Sequence, residues 1–273
     1  MGRIKTAPAC SYVPELPEVE TCRRALAPLL VGRTLTDVIT PWPRAAATPL
    51  AVAGRCIMRL DRRGKFLLLR LDSGWLVIHL RMTGRLVVVR EPPPRTTAAF
   101  QLDSGDWFCL VDMRKFGRTW QVARASEVVG HLGPEPLSRH FTAARFGAML
   151  APRRARLKPL LLNQRFLTGL GNIYVDESLH AARIHPLRTA DTLSTGEVRL
   201  LHRCIRTILR AAITEGGTTI QNFAGPDGAP GRFRSRLRVF RRNGESCGSC
   251  GMTIERSVVA QRGTHFCPHC QRL

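Results

Sequence analysis

Acidic residues are scarce. Twenty Asp and Glu stand against forty-two Lys and Arg, which leaves a formal net charge of +22 over 273 residues. A surplus of this size excludes a self-neutralising surface and favours a polyanionic partner, because each phosphate met by a basic side chain releases condensed counterions. Arginine-rich codon usage would raise the basic count but would not by itself remove acids. Long apolar runs are also lacking: none approaches the ~20 residues that span a bilayer. Residues 1–13, "MGRIKTAPACSYV", have no apolar centre, so no secretory signal is read there. Nine cysteines are present, scattered except for four near the C-terminus, a usage that argues against a disulfide framework and for a reducing compartment. The expectation is a cytoplasmic, nucleoid-associated protein that does not enter a membrane. With 44% hydrophobic residues the chain is rich enough to bury a core.

What is present divides by pattern. After Pro17, the positions Val19, Cys22, Leu26, Leu29 and Leu30 follow helical spacing up to Gly32. Between there and about residue 125 the runs "KFLLLRL", "WLVIHL", "RLVVVR", "AAFQL" and "WFCLVD" are short and split by turn signals, the grammar of an antiparallel sandwich or barrel. "HLGPEPLS" reads as a linker. Beyond it "ARLKPLLLNQ", "GNIYVDESLHAA" and "VRLLHRCIRTILRAAI" are helical, the last preceded by a capping box from Ser194 to Glu197. A glycine-rich stretch at 216–233 is too long for a tight connection.

The strongest local signal is Cys247-Gly-Ser-Cys250 followed, after sixteen residues, by Cys267-Pro-His-Cys270. Two such pairs suit one closed, structural four-thiolate Zn²⁺ site, with His265 and His269 as available substitutes. "GLGN" at 169–172 permits close backbone approach, and Asn172 would open a helix whose free N–H groups suit a phosphate. Lys65 in "RRGKF" reads alone as a solvated basic turn. His79 in "IHLRMTG" reads alone as a strand histidine satisfied by backbone. Phe116 in "DMRKFG", beside Arg114, has the makings of an aromatic wedge.

Taken in order, "PELPEVET", "RRGKF", "IHLRMTG", "DMRKFG", "HLGPEPL", "GLGNIYVDESL", "IHP" and "CGSCG…AQRGTHFCPHCQ" resemble the bacterial formamidopyrimidine-DNA glycosylase family, which removes 8-oxoguanine and ring-opened purines from DNA. The resemblance spans residues 14–272. It implies an α+β protein: an N-terminal antiparallel β-sandwich with flanking helices (14–131), a linker (132–141), a helix–two-turn–helix domain (142–236) with a lesion-capping loop at 216–233, and a β-hairpin zinc finger (237–273). It also implies damaged double-stranded DNA as partner, a monomer, and one structural Zn²⁺ on Cys247, Cys250, Cys267 and Cys270.

By the same resemblance Pro14 is the nucleophile, Glu15 the acid/base carboxylate, Lys65 the lysine that assists β-elimination, and Arg262 the arginine of δ-elimination. Met82, Arg114 and Phe116 fill the void left by an extruded nucleotide, Asn172 binds the backbone, and His79, Arg95 and Arg153 add DNA contacts. Two departures are mild: Met113 and Lys115 stand in the family's Pro-Arg-Arg-Phe, and Arg81 replaces a glycine. The third is large. Residues 1–13 precede Pro14, and a proline inside a peptide has no amine lone pair with which to attack. Val13 can be a GTG start codon, so the expectation is initiation there and exposure of Pro14 once the initiator is removed. The rivals are a damage-binding relative that does not cut, should residues 1–13 remain, and a zinc-ribbon protein of the ribosome or transcription machinery.

Overall fold

The computed structural model describes residues 13–218 and 231–273. The first twelve residues and positions 219–230 of the loop expected to cap the lesion lie outside them. The chain begins with helix α1, Leu16–Leu30, which carries proline in its first turn, where a missing N–H costs nothing. Val19, Cys22, Leu26 and Leu30 recur along one face and are buried, as the spacing predicts. The helix stops where Gly32 takes a φ of +85°.

Eight strands follow: β1 Thr34–Ile39, β2 Arg55–Arg63, β3 Phe66–Leu71, β4 Trp75–His79, β5 Gly84–Val89, β6 Thr96–Leu102, β7 Trp107–Asp112 and β8 Arg118–Val122. They join in the order β5-β7-β6-β1-β2-β3-β4-β8, and every pairing is antiparallel. The sheet folds back over itself. Alternate residues of β2–β4 (Ile57, Leu67, Leu69, Ile78) share one core with those of β5–β7 (Leu86, Phe100, Phe108, Leu110), and α1 packs into that core as well. Leu68 and Val77, pointing the other way, are covered by Val129 of α2, Ser126–Val129. The register matters for the site. Phe66 pairs with His79 and His79 with Arg118, while Gly84 pairs with Asp112. Three motifs that are separate in the sequence, "RRGKF", "IHLRMTG" and "DMRKFG", are thereby brought together by the pairing of these strand ends.

The second half holds α3 Ala143–Leu150, α4 Leu157–Leu162, α5 Asn172–Ala181 and α6 Thr195–Thr214. The capping box at the head of α6 forms as read, with the Glu197 amide donating to Ser194 Oγ at 3.2 Å and the Ser194 amide donating to Glu197 at 2.8 Å. The core of this half gathers Phe146, Leu161, Ile173, Tyr174, Leu201 and Ile205, and it also takes in Leu16 from α1. A two-stranded hairpin, β9 Glu255–Val259 and β10 Arg262–Phe266, ends the chain. Among the described residues no helix is long and apolar enough to cross a membrane.

Candidate active site

Helix α5 is buried on every side from Ile173 to His180, although half of those residues are polar. Burial of polar groups is tolerable only where each has a partner. Here the partners of Tyr174, Asp176, Glu177 and His180 come from the rest of the molecule, while the Ser178 hydroxyl has none among the described residues. The N-terminal amides of α5 meet an internal anion: the Glu15 carboxylate accepts from Gly171 N at 2.6 Å and Ile173 N at 2.9 Å. A helix N-terminus favours such a charge, so the amides expected to be free for phosphate are in part already occupied. Gly171 is needed for this, because a Cβ there would fall on the Glu15 side chain. Gly169, at φ +89°, turns the chain past Leu16.

Desolvation pushes the Glu15 pKa up to about 7, with Lys65 pulling down, Glu18 pushing up, and the two amides pulling down. Glu18, one turn along α1, is fully buried; burial likewise raises its pKa. It accepts from Tyr174 Oη at 2.6 Å, Thr218 N at 2.7 Å and Glu15 N at 2.9 Å. Tyr174 is thus a core residue, as read, but one whose hydroxyl ties α1 to α5.

Lys65 occupies the tip of the β2–β3 hairpin. Arg63 pairs with Phe66, leaving a two-residue turn whose first member, Gly64, has φ +56°, the geometry of a type II′ turn. Glu135 of "HLGPEPL" holds this turn, accepting from the Gly64 amide and from Arg62 Nη1 at 3.1 Å. Burial lowers the Lys65 pKa, opposed by Glu15 and Glu18 and assisted by Arg262. Pro14 is buried and precedes Glu15 directly. His79 has its pKa depressed to about 3, by burial first and then by Arg81 and Lys65. Its Nδ1 accepts from the Arg81 amide at 2.9 Å, which leaves the neutral ring's proton on Nε2.

Arg262 begins β10, exposed at a two-residue turn in which Ala260 and Gln261 both have positive φ. The turn is docked onto α5 through Gly263, whose carbonyl accepts from Asn172 Nδ2 at 2.9 Å and Lys158 Nζ at 3.0 Å. Lys158 is fully buried and also pairs with Asp176 at 2.6 Å, while Asp176 accepts the His265 amide at 2.9 Å. Further along α5, Glu177 receives the amides of residues 238–240, and His180 Nε2 lies 3.6 Å from Cys247 Sγ.

The four thiol sulfurs of Cys247, Cys250, Cys267 and Cys270 lie within 4.8 Å of one another, with Cys247–Cys270 at 3.9 Å and Cys250–Cys267 at 3.5 Å. Ligands at ~2.3 Å in a tetrahedron stand about 3.8 Å apart, so the set fits one Zn²⁺. His265 is instead engaged with Asp176.

Met82 is half-buried, and Phe116 is 44% exposed with the Arg114 guanidinium 5.0 Å from its ring centre. Arg95 is exposed at φ +68°, its carbonyl accepting the Asp112 amide at 3.0 Å. Arg153 stands apart, exposed between α3 and α4. Sequence reasoning passed over Glu18, Asp112, Glu135, Lys158 and Asp176. Except for Glu135, which stands in the linker, each is a charged residue inside a stretch otherwise patterned for burial, and that is the one available signal.

Three family models match the chain: the formamidopyrimidine-DNA glycosylase N-terminal domain over residues 13–119, the H2TH domain of that enzyme over 132–224, and a zinc finger found in FPG and IleRS over 244–273. Among known proteins, the formamidopyrimidine-DNA glycosylase of Heliobacterium modesticaldum is 46% identical over 277 residues, covering 95% of this chain and all of that one. The Thermus thermophilus enzyme is 46% identical over 266 residues, covering 95% and 98%. Among solved structures, Thermus thermophilus MutM (Fpg) superposes with a TM-score of 0.87 at 45% identity, covering 94% of this chain and 98% of that one. Lactococcus lactis Fpg in complex with DNA containing an abasic site gives 0.88 at 35% identity, covering 95% and 100%.

Proposed function

The chain belongs to the formamidopyrimidine-DNA glycosylase family, bifunctional glycosylases and abasic-site lyases of base-excision repair, and we propose that it excises oxidised purines from damaged duplex DNA through a Schiff base at Pro14. The observation that carries this is the Glu15 carboxylate, seated on the N-terminus of α5 beside Pro14 with a pKa of about 7. A carboxyl poised there can give and take a proton near neutral pH.

In this reading the neutral secondary amine of Pro14 attacks C1′ of the damaged nucleotide while Glu15 protonates the opening sugar oxygen. The base departs with the bonding pair of its glycosidic bond and takes up the proton that the Pro14 nitrogen loses, leaving an iminium between Pro14 and the ring-opened sugar. Lys65, its amine pKa lowered by burial, is suited to assist β-elimination of the 3′ phosphate. Arg262, presented at the hairpin tip, grips phosphate for the δ-elimination. Met82, Arg114 and Phe116 fill the hole left by the extruded nucleotide, an extrusion that costs a few kcal/mol in lost stacking. Asn172, His79, Arg95 and Arg153 are assigned to the DNA backbone, and the protein acts as a monomer in the bacterial cytoplasm. We keep the division at 14–131, 132–141, 142–236 and 237–273, and the capping role for loop 216–233, as parts of the same proposal.

The test is a duplex carrying one 8-oxoguanine, with borohydride added during turnover. Base release, strand cleavage and a covalent protein–DNA adduct are expected together; base release without an adduct would overturn the proline mechanism. A second expectation concerns the metal. Zinc bound by four thiolates folds the hairpin that carries Arg262, and structural zinc of this type supplies ~10–16 kcal/mol of apparent binding energy. Cys267→Ser should therefore release zinc and abolish DNA binding in a gel-shift assay. Binding that persists in the metal-free protein would remove the hairpin from the DNA interface.

A further inference from the structure

Three side chains are assigned to the hole in the duplex, yet they come from two separate loops. Met82 lies in the β4–β5 connection and Arg114 and Phe116 in the β7–β8 connection. One buried carboxylate joins the two. Asp112, the last residue of β7, has no exposed surface. Its Oδ1 accepts from Thr83 Oγ1 of the first loop and from the Arg114 amide of the second, the latter at 3.0 Å. Its Oδ2 accepts from the Phe116 amide at 2.7 Å and the Gly117 amide at 2.6 Å. Thr83 Oγ1 in turn accepts from the Arg114 amide at 3.2 Å. Gly117 lets the carboxylate come this close, since a Cβ there would stand 3.3 Å from Oδ2 and 3.1 Å from Leu110.

No ion pair holds Asp112 among the described residues; its charge is met by these four hydrogen bonds alone. The arrangement also holds a conformation that would otherwise relax. Lys115, between two of these amides and with its own amide donating to the Asp112 carbonyl at 3.3 Å, has φ +59°, a left-handed value disfavoured for a residue with a Cβ. Such values persist only where the surroundings over-determine them. Lys115 is further pinned by its ammonium, 4.5 Å from the centre of the Trp42 ring.

We propose that Asp112 is a positioning residue that sets both wedge loops before DNA arrives, so that extrusion from a duplex depends on a group that never touches the nucleic acid. The proposal rests on the functional reading above. The chemistry explains why an aspartate is needed: two carboxylate oxygens supply enough lone pairs for four donors, whereas an asparagine amide would turn its own N–H groups toward two backbone donors.

The experiment compares single-turnover excision of 8-oxoguanine from duplex DNA with strand cleavage at an abasic site in single-stranded DNA, where no partner base need be displaced. For Asp112→Asn, the duplex rate falls by ~10- to 100-fold, the scale expected when positioned groups shift by about an ångström, while the single-strand reaction stays within about twofold of wild type. Thr83→Val, which deletes one donor and leaves the carboxylate in place, shows the same selective loss in smaller degree, and Thr83→Ser, which keeps the hydroxyl, restores the duplex rate. Parallel losses on both substrates would make Asp112 a general structural residue and overturn the proposal. Unchanged duplex rates in both Asp112→Asn and Thr83→Val would also overturn it. A wild-type protein inert on both DNAs would instead strike down the functional reading on which it rests.

Discussion

Protein that retains residues 1–13 gives no borohydride-trapped adduct on abasic-site DNA, and protein that begins at Pro14 gives one. The expected difference is all or nothing. Within a chain, the proline nitrogen shares its lone pair with the preceding carbonyl, carries no hydrogen and cannot form a neutral amine adduct at C1′. As a terminus it becomes a secondary amine in a class whose ordinary pKa is about 7.7–8.0, so a useful neutral fraction exists at pH 7. The family match begins at Val13, the residue before Pro14. Intact mass of the protein from its native host, taken alongside the trapping assay, decides the matter. A mass that includes residues 1–13 together with an efficient adduct would require a different nucleophile. A mass that includes them with no adduct would mark a damage-binding relative, or an enzyme awaiting cleavage.

The second large effect is expected of Glu15→Gln. The amide cannot donate the proton that opens the sugar, and its N–H₂ group would face one of the two backbone donors, Gly171 N or Ile173 N, from which the carboxylate now accepts. Loss of a positioned general acid costs ~10²–10⁴ in rate, read as single-turnover base release. The pH dependence follows from the same group. Glu15 must be protonated to act as the acid, so wild-type base release declines as pH rises through about 7, and the Gln variant lacks that descending limb. Stability carries a second signature. The folded carboxyl binds its proton more tightly than the unfolded one, whose pKa is near 4.3. Between that value and about 7 the native state holds the extra proton, so the wild type loses stability as pH rises across this window. Glu15→Gln removes that slope. Excision at wild-type rate with an unaltered profile would remove Glu15 from the acid role.

How far these features could be read beforehand depended on range. The zinc set was legible because its members sit in two short pairs whose spacing is itself the constraint. The strands and the start of α5 were legible because alternation and glycine placement are local. Lys65 was found by likeness and not by chemistry: alone it is a basic turn residue, and what alters it is burial, with Glu15 and Glu18 at the head of α1 opposing the shift and Arg262 of the distant hairpin adding to it. Glu18 was invisible for the same reason, since Tyr174 and Thr218 lie 156 and 200 residues away along the chain. Asp112 stands inside "DMRKFG", where the residues whose types announce a DNA contact are Phe116 and Arg114. Nothing in a linear pattern shows that a carboxylate gathers amides from the turn that follows it and a hydroxyl from another loop. The phosphate reading of "GLGN" identified the right polarity at the helix end and the wrong anion for its first amides, because the competing carboxylate is 158 residues upstream of Ile173.

That last separation has a consequence for the protein while it is being made. A ribosome adding ~5–20 residues per second needs on the order of 10–30 s to pass from Glu15 to α5. Through that interval the sandwich can fold, but Leu16 has no core to enter and the Glu15 carboxylate has no helix end to rest on. The nascent polypeptide carries the proposed nucleophile, Pro14, first and its scaffold late. If Pro14 acts as proposed, its reaction waits until translation is well past its midpoint, with the order of synthesis serving as its safety catch.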